Sequence, residues 1–250
     1  MGTGADAHHV ATRSALHVVS AHVLGRRRYE VTGRFGLRAT PGGVGTPAFG
    51  DPLEVVRVSG TILIRELGSD SATLAIPGRS LRQLAEFAGT DVDRPFSVGG
   101  QTPPVGDPDR PIELDDATVG VLADWFALGW VVMDRFLEGL PDGAGPAAIQ
   151  LWPEHFDAAT NVGVPGGARL NVGFSPGDDF EPEPYAYVGP WGPERPGDPD
   201  FWNAPFGAVL SASKVLNHHD PVALSLDFLE TGLRALAGGD SGRAGVRLSR

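Results

Sequence analysis

Glycine and proline interrupt this chain so often that most of its helices and strands must be short. The 250 residues include 35 glycines and 22 prolines. Glycine costs regular structure conformational entropy and proline removes a backbone donor, so both residues favour turns. Hydrophobic residues nevertheless make up 41% of the chain, which is enough for a buried core. We therefore expect a folded protein of short elements joined by many Pro/Gly-rich loops.

The charge and the lack of cysteine exclude several classes of function. The formal net charge of −11 at pH 7 opposes binding to nucleic-acid phosphates and to anionic membrane surfaces, so we expect neither partner. The absence of cysteine excludes disulfides, thiolate nucleophiles and cysteine-ligated metal clusters. No basic segment followed by a long apolar stretch opens the sequence, so the expected location is cytoplasmic.

The first part of the chain, residues 1–90, is predicted to be an α+β half. Apolar spacing over residues 6–24 predicts a helix that ends at Gly25. Three segments of alternating polarity predict an antiparallel meander: residues 29–37, 56–64 and 72–76. Ser80 and Gln83 have capping-box spacing, which predicts a short helix over residues 81–87.

A second α+β half is predicted over residues 115–238, after a Pro/Gly-rich connection at residues 91–114. Asp115 is placed to cap a long helix that ends near Glu138 and is too short in its apolar part to span a membrane. Strands are predicted in four segments: residues 147–152, 169–174, 185–188 and 205–211. Asp220 and Pro221 predict the start of a final helix, and residues 239–250 form a tail.

The expected fold class is therefore α+β, mostly antiparallel, with two similar halves flanked by helices and joined in one compact unit. Residues 35–49 and 171–187 both contain a strand followed by Thr or Ser and then Pro-Gly. An internal duplication would explain this similarity, although turn chemistry alone is sufficient to produce it.

Polar and aromatic residues are densest in residues 151–160 and 171–187. These stretches contain Trp152 with Phe156-Asp157, then Gly173-Phe174 with Pro176-Gly177, then Tyr185-Ala186-Tyr187. Together with the Asp227-Phe228-Leu229 segment, they resemble the motifs of a bacterial family, domain of unknown function 5996. The resemblance runs in order along nearly the whole chain and implies the same layout of helices and strands. It implies no activity.

A metal-assisted hydrolytic site is the first hypothesis for these stretches. His155 and Asp157 are two residues apart, so on a strand both side chains lie on one face and are placed to share a divalent ion. If the strand of Trp152 pairs with residues 169–174, a carboxylate from the following loop completes the site. Asp178 is the expected third metal ligand, and Glu183 is the expected general base beside His155 and Asp157. A structural interpretation makes Asp157 a turn cap and the loop solvated.

Aromatic residues in the same stretches are expected to line a small-molecule pocket or to fill a core. The substrate-binding residues of the hypothesis are Trp152, Phe156, Phe174, Tyr185 and Tyr187. Tyr185 and Tyr187 share one strand face, with Ala186 on the other.

Three weaker candidates remain beside this site. Ser175 is a candidate nucleophile, but no G-x-S-x-G elbow surrounds it. The proline after it also removes a backbone N–H that would serve an oxyanion hole. The segment 217–220 is rich in histidine, although Asp220 is explained as a helix cap. Asp134 and Glu138 face together on the long helix, as in a cation site or a solvated face.

Three functions follow from these observations. The first is an enzyme with a small-molecule pocket in the second half, with a divalent metal as cofactor. The second is a non-catalytic ligand-binding or protein-interaction module whose acidic loops and aromatic residues dock a partner. The third is a structural homodimer. A wide exposed aromatic surface favours the second function.

Overall fold

A computed structural model describes residues 4–239 of the chain, which form two compact units. The first unit contains the chain up to Ala127 together with Gln150–Ala158, and the second contains Leu128–Ile149 and the chain from Ala159 onward. Two five-stranded antiparallel sheets with helices confirm the predicted α+β class. The predicted tail beyond Gly239 lies outside the described residues.

The described part of the chain begins with one long helical run. Helix α1 (Gly4–Val19) continues as a π-helical segment (Ser20–Gly25) and then as α2 (Arg26–Thr32), which ends at Gly33 with φ of 70°. All six residues of the π-helical segment are buried. Inside it, His22 Nε2 donates to the carbonyl oxygen of Pro103 at 2.6 Å, and the edge of its ring meets Phe96. The helical run therefore anchors the loop around residues 94–103.

The first sheet is a meander in chain order. Its strands are β1 (Arg38–Thr40), β2 (Gly43–Gly45), β3 (Glu54–Ser59), β4 (Ile62–Leu67) and β5 (Asp70–Ala75). Val56, Val58 and Leu63 face the core and are fully or almost fully buried. The buried carboxylate of Glu54 accepts from Arg27 at 2.7 Å and from Arg65 at 2.8 Å. This ion-paired cluster joins α2 to the sheet.

Two further helices follow the first sheet. Helix α3 (Leu81–Ala88) has the predicted capping box between Ser80 and Gln83 and ends at Gly89. Helix α4 (Asp116–Glu138) begins as predicted, since the Asp115 carboxylate accepts from the backbone N–H of Thr118 at 2.8 Å. Among the described residues α4 alone is long and apolar enough to cross a membrane, and 44% of its apolar window is buried inside the protein.

The second sheet has the strand order β10-β9-β8-β7-β6. Its strands are β6 (Gln150–Trp152), β7 (Asp157–Gly163), β8 (Arg169–Ser175), β9 (Tyr185–Pro190) and β10 (Ala208–Ser211). Helices α5 (Ala212–Leu216) and α6 (Pro221–Gly239) follow it. Gly232 of α6 approaches Val188 so closely that an added Cβ would lie 2.5 Å from a methyl carbon. Asp220 caps α6 as predicted, because its carboxylate accepts from Ala223 N–H at 2.9 Å.

Several predicted elements were wrong. The segment 29–37 was predicted as a strand, but the helix continues through Thr32, because Gly25 is helical with φ of −63° and ψ of −43°. Its missing side chain admits Pro153, whose Cγ would lie 3.1 Å from a Cβ there. The segment 56–64 is two strands joined by a turn at Gly60, so Leu63 and not Ile62 faces the core. Strand β7 was not predicted, and it separates β6 from β8, so the expected pairing between those two strands is wrong.

Candidate functional site

The turn between β6 and β7 has an unusual backbone. The N–H groups of His155 and Phe156 both reach the carbonyl oxygen of Trp152, at 3.2 and 2.7 Å. Phe156 has φ of 57°, the only positive value for a non-glycine residue in the described part of the chain. A bulky side chain in this region is strained, and such strain is concentrated at functional sites. We call residues Trp152 to Asp157 the strained turn.

Helix α1 holds the strained turn in place. The imidazole of His17 stacks on the Phe156 ring, with 5.4 Å between centroids and 8° between planes. His17 Nε2 donates to the carbonyl oxygen of Glu154 at 3.2 Å. The Phe126 ring packs edge-on against Phe156, which is only 2% exposed. Packing and hydrogen bonding from His17 therefore stabilise the strained conformation.

Glu154 is the most unusual acidic group of the turn. Its side chain is 7% exposed, and its Oε2 atom has no hydrogen-bond partner. Gly99 lies against it, so that a Cβ there would be 3.4 Å from Glu154 Cγ. Burial raises the pKa of the Glu154 carboxyl and the nearby Asp157 charge raises it further, while its own backbone N–H and His155 lower it in part. The Glu154 carboxyl therefore keeps its proton to a higher pH than an ordinary glutamate does.

His17 is shifted in the direction that keeps it neutral. Burial lowers the pKa of His17 from 6.5 to about 4, although hydrogen bonds to the backbone of Glu154 and Pro153 partly oppose the shift. The charges of Arg13 and His155 add small lowering contributions. Because a carbonyl oxygen only accepts, the proton of the neutral imidazole lies on Nε2. His17 therefore acts as a neutral donor that positions the turn.

The predicted site residues fall into two groups. His155 is exposed, Asp157 and Trp152 are half-buried, and all three belong to the strained turn of the first unit together with Phe156. The second unit contains the remaining predicted residues, namely Phe174, Asp178, Glu183, Tyr185 and Tyr187. Within residues 4–239, no group of three or more His, Asp or Glu side chains is arranged to hold a metal ion.

In the second unit, Asp178 organises its own loop. Its carboxylate accepts from the backbone N–H groups of Phe180 at 2.8 Å and Glu181 at 3.1 Å, and from the Tyr185 hydroxyl at 2.6 Å. Glu183 is exposed, and its N–H donates to the Glu181 carboxylate at 3.2 Å. These bonds give Asp178 the role of a turn-forming residue.

Two aromatic residues predicted to bind substrate belong to the core. Phe174 is fully buried beside α4, where a Cβ on Gly129 would lie 2.5 Å from its Cγ. Phe156 borders a small apolar cavity of about 10 Å³, whose lining also includes Leu16, Val44 and Phe126. A cavity of that size holds about one water molecule, so it is no substrate pocket.

The weaker candidates have local structural roles. Ser175 Oγ accepts from the N–H of Gly177 at 3.1 Å, which forms the predicted turn. His218 Nδ1 lies 3.1 Å from the donating N–H of Asp220, beside the α6 cap. Asp134 and Glu138 are exposed on α4.

Sequence reasoning did not single out Glu154 or His17. Glu154 lies inside the motif Trp-Pro-Glu-His-Phe-Asp, where two carboxylates flank a histidine at a spacing of three. That spacing was the available signal. No local pattern connects His17 with a turn that lies 137 positions away.

Comparisons of the chain with protein-family models, curated proteins and solved structures found no match. The resemblance to domain of unknown function 5996 stays a prediction.

Proposed function

We propose that this chain is an enzyme that hydrolyses a small molecule by acid–base catalysis at the strained turn, with Glu154 as general acid and His155 as general base. The observation that carries the proposal is the buried carboxyl of Glu154, whose Oε2 is unpartnered and whose pKa is raised, next to the exposed His155. Enzymes raise the pKa of a carboxyl in this way so that it keeps a proton to higher pH and serves as a general acid.

The two groups divide the work of a hydrolysis. His155 takes a proton from water, whose oxygen attacks the electrophilic carbon of the substrate. As the bond to the leaving group breaks, Glu154 donates its proton to the leaving oxygen. Asp157 supports this role because its charge raises the pKa of Glu154. Proton exchange with water restores both groups.

Metal assistance is a separate proposal. His155 and Asp157 are two potential ligands of the strained turn, while Asp178 and Glu183 belong to the second unit. Elemental analysis of protein purified without chelators tests this version. About one equivalent of a divalent metal, lost in Asp157→Ala, supports it.

The central experiment measures hydrolysis of a panel of p-nitrophenyl esters as a function of pH. We expect kcat/KM to fall by about 10² or more in Glu154→Gln and His155→Gln, the usual effect of losing an acid or base. Glu113→Gln, which removes an exposed carboxylate of the same unit, serves as the matched control. Glu154→Gln as active as the control would contradict the proposal.

The alternative functions give a different outcome. A non-catalytic binding module or a homodimer shows no turnover above the Glu154→Gln background on any member of the panel. A sedimentation measurement separates these two, because only the homodimer has twice the mass of the chain. For the enzyme, the proposed setting is the cytoplasm.

A further inference from the structure

We propose that the second unit carries an aromatic platform that binds a basic segment of a partner protein. The platform consists of Phe180, Tyr187 and Phe206. It is independent of the strained turn, so it goes beyond the proposed enzymatic function.

The platform is an exposed cluster of rings. Phe180 and Phe206 are 46% and 38% exposed, and their ring centroids are 5.2 Å apart. Tyr187 is half-buried and its centroid is 6.4 Å from that of Phe206. Large apolar side chains that meet at the surface mark an interaction site more often than scattered ones do.

Hydrogen bonds and ring contacts order the loop that carries Phe180. The Asp178 carboxylate accepts from Phe180 N–H and from the hydroxyl of Tyr185, and Asp178 N–H donates to Glu181 O at 2.8 Å. The Tyr185 ring lies 6.1 Å from Phe180 and 6.3 Å from Tyr187. A preordered platform loses little conformational entropy when a partner binds.

The acidic residues on the Phe180 loop favour a cationic partner. Three acidic residues lie on the same loop as Phe180, namely Asp179, Glu181 and Glu183. Of these, Asp179 and Glu183 are exposed. The whole chain carries a net charge of −11. Arginine and lysine bind both to carboxylates and to the faces of aromatic rings. The second unit already contains arginine–aromatic contacts: the Arg169 guanidinium lies 5.4 Å from the centre of the Trp191 ring, and the Arg195 guanidinium lies 5.6 Å from the centre of the Trp202 ring. The cationic side chains of a basic peptide segment contact the ring faces and pair with the carboxylates.

The test is a titration of the isotope-labelled full chain with an alternating Arg-Gly peptide, followed by NMR, with a Gln-Gly peptide as the uncharged probe. We expect saturable shifts at Phe180, Tyr187 and Phe206 with the Arg-Gly peptide only. Phe206→Ser and the triple variant Asp179→Asn/Glu181→Gln/Glu183→Gln should each weaken binding by about tenfold.

The matched control removes three exposed carboxylates elsewhere in the same unit: Asp134→Asn, Glu138→Gln and Asp142→Asn. We expect this triple variant to change affinity by less than about twofold, because distant exposed charges are screened. Equal weakening by both triple variants, or no saturable binding, would overturn the proposal. A dimeric mass in sedimentation that Phe206→Ser reduces to one chain would also overturn it, since a second copy would then be the occupant.

Discussion

The imidazole of His17 lies parallel to the Phe156 ring, with 5.4 Å between the two centroids. The same imidazole donates to the carbonyl oxygen of Glu154, so one side chain of α1 contacts two residues of the strained turn. This relationship ties a neutral histidine to the backbone of the acid that we assign to catalysis. It also makes the stability of the turn depend on the protonation of His17.

Acidification should destabilise the protein through His17. The pKa of His17 is about 4 in the folded chain and 6.5 in its ordinary state, so between these values the unfolded chain binds more protons. The contribution of His17 to the free energy of unfolding is therefore lost as the pH falls, by about 2 kcal/mol between pH 7 and pH 5. Urea unfolding at both pH values measures it. His17→Gln retains a hydrogen-bond donor that does not titrate. Between pH 7 and pH 5 its free energy of unfolding should therefore fall by about 2 kcal/mol less than that of the wild type. An equal fall in both proteins would contradict this account.

Replacing Glu154 should increase stability while it removes activity. A raised pKa means that the folded chain disfavours the charged carboxylate, so stability falls as the pH rises above the ordinary range of the acid. At pH 7 Glu154→Gln removes the cost of ionising a buried carboxyl whose Oε2 is unpartnered, and we expect a gain of about 1 kcal/mol. Chemical denaturation checks the gain. Glu113→Gln, on the surface, should change stability by less than about 0.5 kcal/mol.

The backbone of Phe156 should reverse the usual order of alanine and glycine. Both substitutions lose the buried ring at a cost of about 3 kcal/mol or more. At φ of 57°, however, alanine adds strain that glycine avoids, so Phe156→Gly should be more stable than Phe156→Ala by about 1 kcal/mol. Thermal unfolding of the two variants compares them directly. A more stable alanine variant would show that the turn is not strained.

Two glycines of α4 should respond in opposite directions to alanine. A Cβ on Gly129 would lie 2.5 Å from Phe174 Cγ, whereas nothing lies within 4 Å of a Cβ on Gly120. Gly129→Ala should cost about 1–3 kcal/mol through overpacking. Gly120→Ala should gain up to about 1 kcal/mol, because alanine favours helices. Denaturant unfolding separates the two, and a stabilised Gly129→Ala would contradict the packing described for Phe174.

Local signals predicted the elements that depend on local chemistry. The capping box at Ser80 and the caps at Asp115 and Asp220 are contacts between near neighbours, and all three are confirmed. The prediction that the helix ends at Gly25 was wrong. The lack of a side chain at Gly25 makes room for Pro153, which comes from a distant part of the chain. Strand β7 was missed because residues 157–163 contain no clear alternation of polarity.

The site was predictable only in part for the same reason. The sequence pointed to residues 152–157 through their density of polar and aromatic side chains. The importance of Glu154 comes from burial and from Gly99, and that of His17 comes from a contact across 137 positions. Neither property has a local pattern. The carboxylates of residues 178–183 lie in the second unit, whereas the strained turn belongs to the first. A high density of acidic residues in the sequence therefore did not indicate which of them belong to the turn.

The proton affinity of Glu154 tests the central claim most directly. Carboxyl-carbon NMR of selectively labelled glutamate, assigned by comparison with Glu154→Gln, gives the pKa of this side chain in the intact chain. The account predicts a pKa above the ordinary glutamate value of about 4.3, and a lower value after Asp157→Asn removes the neighbouring charge. A pKa at or below the ordinary value would contradict the assignment of Glu154 as the acid.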